Sequence, residues 1–158
     1  MTPGAGRIVL DRDIGAFAAA LLASSPAVGD PATLAIAEQR RRAALLRHPW
    51  TVGGPAMKRR LDHVAGTSCG PVAVRIHYPS NAHRLPILVY LHGGGWTLLD
   101  LDTHDRVMRE LAACSGWAVV GVDYPLAPEA AFPAAAGPRA SGLIRRLAIS
   151  GLMSSPRS

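Results

Sequence analysis

Residues 86–96 read Pro-Ile-Leu-Val-Tyr-Leu-His-Gly-Gly-Gly-Trp, an apolar run that passes without a break into His92-Gly93-Gly94-Gly95-Trp96. A nearly continuous apolar run of this length predicts a strand buried on both faces, as in a parallel sheet. Downstream, Val107, Met108, Leu111 and Ala112 recur at helical spacing, which predicts a helix over about 103–114 with Asp102 or Thr103 as its cap and Gly116 as its end. Residues 117–122 form a second apolar run that stops at Asp123. Strand, helix and strand in succession make a βαβ unit and therefore a parallel sheet.

Upstream the pattern differs. Residues 57–64 predict a strand, residues 66–70 a turn, and residues 71–78 a second strand with Val72, Val74, Ile76 and Tyr78 on one side, which together form a hairpin. Residues 79–81 form the next loop. Earlier still, residues 12–24 and 33–47 predict helices. The second has Asp30 or Thr33 as its start signal, Leu34, Ala37, Ala44 and Leu45 on its apolar face, and His48-Pro49 as its end. The expected fold is α/β: a helical N-terminal cap (1–50), then a core (51–134) in which an antiparallel hairpin leads into a parallel βαβ sheet, then an atypical tail (135–158). Within that tail only residues 143–149 have the makings of a short helix.

The chain's 158 residues suit a single domain. Its net charge of +6 invites a nucleic-acid reading, but all 11 acidic residues lie at or before Glu129. Arg139, Arg145, Arg146 and Arg157 follow with no acid among them, and without these four the chain has 13 basic residues against 11 acids. The run Gln39-Arg40-Arg41-Arg42 reads as a solvated helix face, since no aromatic or recognised binding motif accompanies it. No nucleic-acid partner is expected. Cys69 and Cys114 show neither paired spacing nor a metal-ligand pattern, so two free thiols and a cytoplasmic location are expected. The apolar stretch 16–23 is too short to span a bilayer, and Asp11 and Asp13 interrupt the positive flank that an export signal needs.

The three consecutive glycines carry the chemical signal. Lacking Cβ atoms, Gly93, Gly94 and Gly95 let the backbone approach a substrate closely and turn N–H groups into a site. Two such donors aimed at one point stabilise the oxyanion formed when a nucleophile attacks an ester carbonyl, and losing one costs on the order of 3 kcal/mol in the barrier.

Four stretches within about 61–134 together resemble the hormone-sensitive-lipase-type carboxylesterases and lipases of the α/β-hydrolase family. They are the strand with His92-Gly93-Gly94-Gly95-Trp96, the segment Asp100-Leu-Asp-Thr-His-Asp105, the strand 119–123, and Tyr124-Pro125-Leu126-Ala127-Pro128-Glu129 with Phe132-Pro133-Ala134. The resemblance implies a partial α/β-hydrolase fold whose C-terminal half is missing. It also implies a small acyl-ester substrate, no cofactor, and oxyanion donors on the backbone N–H groups of Gly94 and Gly95. His92, Gly93 and Trp96 complete the oxyanion-loop motif, with His92 positioning the loop rather than acting as base. The cluster Asp100, Asp102, His104 and Asp105 is structural on this reading, with no metal. Pro125 departs from the family, which usually has Arg there.

The family's nucleophile sits in a G-x-S-x-G elbow on a strand-to-helix turn, downstream of the Phe-Pro-Ala segment, with Asp and His later still. The match Gly66-Thr67-Ser68-Cys69-Gly70 precedes the glycine loop and lies between two strands, so Ser68 is not that nucleophile. Ser141 and Ser150 lack the flanking glycines. No catalytic nucleophile, acid or base is therefore expected in this chain. It reads either as an ester hydrolase by family, truncated before its serine, or as an inactive fragment or interaction partner. With 16 arginines to one lysine, the acid-free tail is expected to be a shifted reading frame from about residue 137. The strand 86–91 is expected to present an uncovered apolar edge, and the chain to self-associate through it.

Overall fold

The computed structural model describes residues 11–24, 33–67, 70–82 and 84–130. The tail from 135, with Ser141, Ser150 and the expected short helix, lies outside them, as do Ser68, Cys69 and Asp30.

Among the described residues seven elements follow one another: α1 (Arg12–Ser24), α2 (Ile36–Thr51), β1 (Arg59–Thr67), β2 (Gly70–Tyr78), β3 (Ile87–Leu91), α3 (Asp105–Ser115) and β4 (Ala118–Asp123). The strands form one mixed sheet in the order β1-β2-β4-β3. β1 and β2 pair antiparallel from Arg59 opposite Tyr78 to Thr67 opposite Gly70. β2 pairs antiparallel with β4, and β3 pairs parallel with β4 across the α3 crossover. The hairpin leading into a βαβ unit is thus as expected, with the connection between β2 and β3 leaving room for β4 to enter between them.

Alternation along the strands builds a core on each face. On one side Val72, Val74 and Ile76 meet Ala65, Val120, Val122 and Tyr124, with Tyr78 packed against them. On the other, Val119 lies beneath Leu101, Met108 and Ala112. Burying Val and Met side chains of this size stabilises the fold by about 1.5–3 kcal/mol each. The close approach of α3 to the sheet depends on Gly121, where a Cβ would run into Met108 and Leu101.

Several expectations need correcting. β3 is half-buried rather than buried on both faces; among the described residues it pairs only with β4, which leaves the open edge expected of residues 86–91. α2 does not close at His48-Pro49 but continues through Pro49 to Thr51. Proline removes a single N–H there, in the last turn. That turn is held by Thr51 Oγ1 donating to His48 O at 2.9 Å and by Trp50 packing edge-on against Phe17 of α1. At its start, α2 has Ala35 as cap residue with no side-chain hydrogen bond, so Thr33 does not cap it. α3 begins at Asp105 with His104 in the cap position, so neither Asp102 nor Thr103 caps it by a side-chain hydrogen bond. Gly116 does end α3, its N–H donating to Ala112 O at 2.9 Å.

Candidate functional site

β3 delivers the chain directly into the glycine loop, and the loop's carbonyls decide where its N–H groups point. A trans peptide places the carbonyl of one residue and the N–H of the next on opposite sides of the same plane. Gly93 O lies 2.9 Å from His92 Nδ1, which fixes the plane carrying the Gly94 N–H. Gly94 O accepts from Leu98 N at 2.9 Å and Thr97 N at 3.2 Å, which fixes the plane carrying the Gly95 N–H. Neither of those two N–H groups donates to an acceptor among the described residues. Gly94 and Gly95 have φ of +129° and +62°, a region open to glycine at little cost.

The rest of the loop is held as firmly. Gly95 O accepts from Thr97 Oγ1 at 3.1 Å, and Trp96 O accepts from Ala127 N at 2.8 Å. Trp96 itself takes φ of +63°, with its ring half out of the protein and tilted towards Tyr124 at 5.2 Å between centroids. His92 is buried and stacks on the Tyr124 ring at 4.3 Å, and the Tyr124 hydroxyl donates to His92 O at 2.6 Å. With Nδ1 donating to Gly93 O, His92 Nε2 is left buried without a hydrogen-bond partner among the described residues. The structure therefore brings His92, Gly93, Gly94, Gly95 and Trp96 together as a single turn braced by Tyr124 and Ala127.

The four side chains of the 100–105 segment go to separate tasks. Asp100 Oδ1 accepts the Thr103 N–H at 2.8 Å, closing a turn ahead of α3. Asp102 accepts from Arg75 Nη1 at 2.7 Å. His104 Nδ1 lies 3.2 Å from both Thr103 Oγ1 and Asp100 O, and burial pushes its pKa down. Asp105 turns towards the sheet, where Arg109 donates to it at 2.8 Å and Arg75 at 3.3 Å. Burial alone would raise the Asp105 pKa, but the Arg109 hydrogen bond and the charges around it hold it below the usual carboxylate range.

Arg75 and His77 were not legible as buried residues. They occupy the alternate positions of β2, which in a strand with Val72, Val74 and Ile76 inward read as a solvent face. α3 covers that face instead. Arg75 is enclosed by Asp62, Asp102 and Asp105 at 2.9, 2.7 and 3.3 Å. His77 is wholly buried with its Nε2 3.2 Å from Asp105 Oδ1, yet neither ring nitrogen has hydrogen-bond geometry to a partner among the described residues. Burial outweighs the Asp105 charge and pushes the His77 pKa down, so the ring is held neutral.

A concavity of about 560 Å³ lies beside this network, lined by residues including Asp62, His63, Arg75, Asp100, Asp102 and Asp123. No residue of the glycine loop lines it. Among the described residues no group of three or more His, Cys, Asp or Glu side chains is placed to hold a metal ion. Of the G-x-S-x-G match, Gly66 and Thr67 end β1 and Gly70 begins β2, and the element that follows is an antiparallel strand rather than a helix.

A strand, a glycine turn, a helix and a second strand parallel to the first form an arrangement shared with known proteins. Residues 88–138 match the family described as alpha/beta hydrolase fold. The hyperthermophilic esterase from the archaeon Pyrobaculum calidifontis superposes with a TM-score of 0.77 at 31% identity, over 91% of this chain and 45% of that one. This chain has part of an α/β-hydrolase fold. In a monoclinic form of the Pyrobaculum calidifontis esterase the identity is 35%, over 75% of this chain and 39% of that one, with a TM-score of 0.68. A thermophilic and thermostable carboxylesterase cloned from a metagenomic library aligns at 30% identity and TM-score 0.72, over 80% of this chain and 44% of the other. The chain thus spans less than half the length of these α/β-hydrolases. Match and neighbours support the carboxylesterase family that residues 61–134 resemble.

Proposed function

We propose that this chain carries the oxyanion-stabilising part of a carboxylic ester hydrolase, acting on a small acyl ester. The observation that carries the reading is the pair of N–H groups on Gly94 and Gly95, which meet no acceptor among the described residues and are set by carbonyls that are themselves tied down. In the transition state they would donate to the developing oxyanion at the ester carbonyl, where preorganised donors act without reorganisation. His92 positions the loop through Gly93 O and the Tyr124 stack. Gly93 permits the close approach, and Trp96 lies beside the donors as a wall. None of these groups is a nucleophile, general acid or base, and the reading assigns those roles to no described residue. Without a triad, an oxyanion hole and binding retain roughly 10³–10⁴-fold acceleration over water, far below a working enzyme.

The second reading is an inactive fragment that acts as an interaction partner, pairing with a second copy through β3. It is favoured by the edge position of β3 and by Leu91, 45% exposed on it. No described helix is long and apolar enough to cross a membrane. A cytoplasmic location is the reading we favour, supported by Cys114, an exposed free thiol.

Mass spectrometry of the intact chain after a serine-reactive fluorophosphonate, beside hydrolysis of a short-chain p-nitrophenyl ester, tests the assignment. The expected result is no adduct and no enzymatic turnover from folded protein. One stoichiometric adduct with turnover would overturn it and place a nucleophile within the chain, at Ser68, Ser141 or Ser150.

A further inference from the structure

Arg40 leaves the side of α2 and reaches the two loops that meet around the glycine turn. Its Nε donates to Thr97 O at 2.9 Å and its Nη2 to Ala127 O at 2.9 Å. Its Nη1 and Nη2 also hold the Glu129 carboxylate in a forked pair, at 2.9 and 2.7 Å. These contacts span 57, 87 and 89 residues of sequence. The planar fork of a guanidinium suits this task, because a single group meets acceptors in fixed directions.

One end of the contact is a single hydrogen bond away from Gly94 and Gly95, and the other from the adjacent Trp96. Thr97, whose carbonyl Arg40 binds, donates its own N–H to Gly94 O and its hydroxyl to Gly95 O. Ala127, whose carbonyl Arg40 also binds, donates its N–H to Trp96 O. Arg41 and Arg42, its neighbours, turn instead to Glu38 on their own helix, so the cross-chain contact belongs to Arg40 alone among the three.

We propose that Arg40 is a positioning residue for the oxyanion loop, a latch that ties the cap helix to Thr97 and Ala127 and so sets the Gly94 and Gly95 N–H groups. The proposal rests on the oxyanion reading of those two groups. It gives the helical cap a part in the chemistry: motion of α2 away from the sheet would slacken the donors.

The test is NMR on the whole chain, reading amide exchange and the Gly94 and Gly95 amide shifts during acetate titration, acetate being a small oxyanion probe. In the parent chain acetate shifts both amides saturably. In Arg40→Ala the exchange of Thr97, Leu98 and Ala127 amides rises at least tenfold while Val120 and Val122 are unchanged, and the apparent acetate affinity falls at least tenfold. Arg40→Lys does not restore either property, since one ammonium cannot serve all of these acceptors. Arg40→Met, which keeps the length of the side chain without its donors, gives the same local rise and remains readable if Arg40→Ala does not fold. Unchanged exchange at the three loop amides overturns the proposal, as does a rise shared equally by Val120 and Val122, which would make Arg40 a general stabiliser. In Arg40→Met an unchanged loop likewise overturns it. If acetate fails to shift Gly94 and Gly95 in the parent chain, the oxyanion reading falls, and the exchange data alone decide whether Arg40 holds the loop.

Discussion

The carbonyl oxygen of Leu98 occupies the place that a side chain on Gly94 would take. The turn closes so tightly because Gly94 O receives both Thr97 N–H and Leu98 N–H, which draws residue 98 back over residue 94. At Gly95, by contrast, an added Cβ would meet nothing within 4 Å.

The two glycines should therefore respond differently. Gly95→Ala is expected to cost only the left-handed backbone term, about 1 kcal/mol. Gly94→Ala adds the clash with Leu98 and should cost on the order of 3 kcal/mol, shared between backbone strain and displacement of the loop. Urea midpoints of the two variants check this, and equal losses would mean that the turn opens readily.

Beneath α3, Gly121 and Met108 share one space. Gly121→Ala should cost about 1–3 kcal/mol by overpacking. In a Met108→Ala background that cost should shrink, giving a coupling of roughly 0.5–3 kcal/mol in a double-mutant cycle. Additive losses would show that the helix rides clear of β4.

Stability should fall with acidity in two stages. Burial keeps His77 neutral in the folded chain among Asp105, Arg75, Arg60 and Arg109, so its pKa lies below the unfolded value of 6.5. Its contribution is fully present above pH 6.5 and is lost as the unfolded chain takes up a proton that the folded ring refuses. Asp62, held by Arg60 and Arg75, has its pKa lowered from 3.8 to about 2, so its contribution is present above 3.8 and is lost as pH falls through about 2. Urea titrations at pH 8, 5.5, 3 and 2 read both stages. His77→Gln should shrink the upper stage and leave the lower one in place, while a single acid transition would contradict the assignment.

β3 offers a test of association. An apolar edge strand templates further strand pairing, and lysine on such an edge opposes it. Sedimentation of the chain should show association that grows with concentration, and Leu91→Lys should reduce it. Monomers at high concentration would rule β3 out as a contact.

Local pattern revealed a great deal here, because a period of two and a period of 3.6 are written into short stretches. The inward set Val72, Val74 and Ile76, the βαβ unit and the glycine turn all follow from neighbours in sequence. Where sequence reading failed, the deciding partner was distant. Arg75 and His77 are buried because α3 lies over them, some thirty residues on, and nothing near them announces it. The run Arg40-Arg41-Arg42 reads as a uniform solvated face, and Arg41 and Arg42 do pair with Glu38, but Arg40 turns to Thr97 and Glu129. Asp102 has the residue type and position of a helix cap, yet Arg75 claims its carboxylate. For β3 the open edge is as expected, whereas the unbroken apolar run suggests more burial than the half-buried strand has.

The placement of β4 between β2 and β3 also has a bearing on how the chain is made. As the polypeptide leaves the ribosome, the β1–β2 hairpin can close at once, but β3 emerges with no strand to join. It must wait, with the glycine turn behind it, until the segment Ala118–Asp123 is synthesised and slots in between. In that interval the unpaired apolar strand is open to chaperones or to other nascent chains, and the last of the described strands to appear is the one that joins β3 to the hairpin.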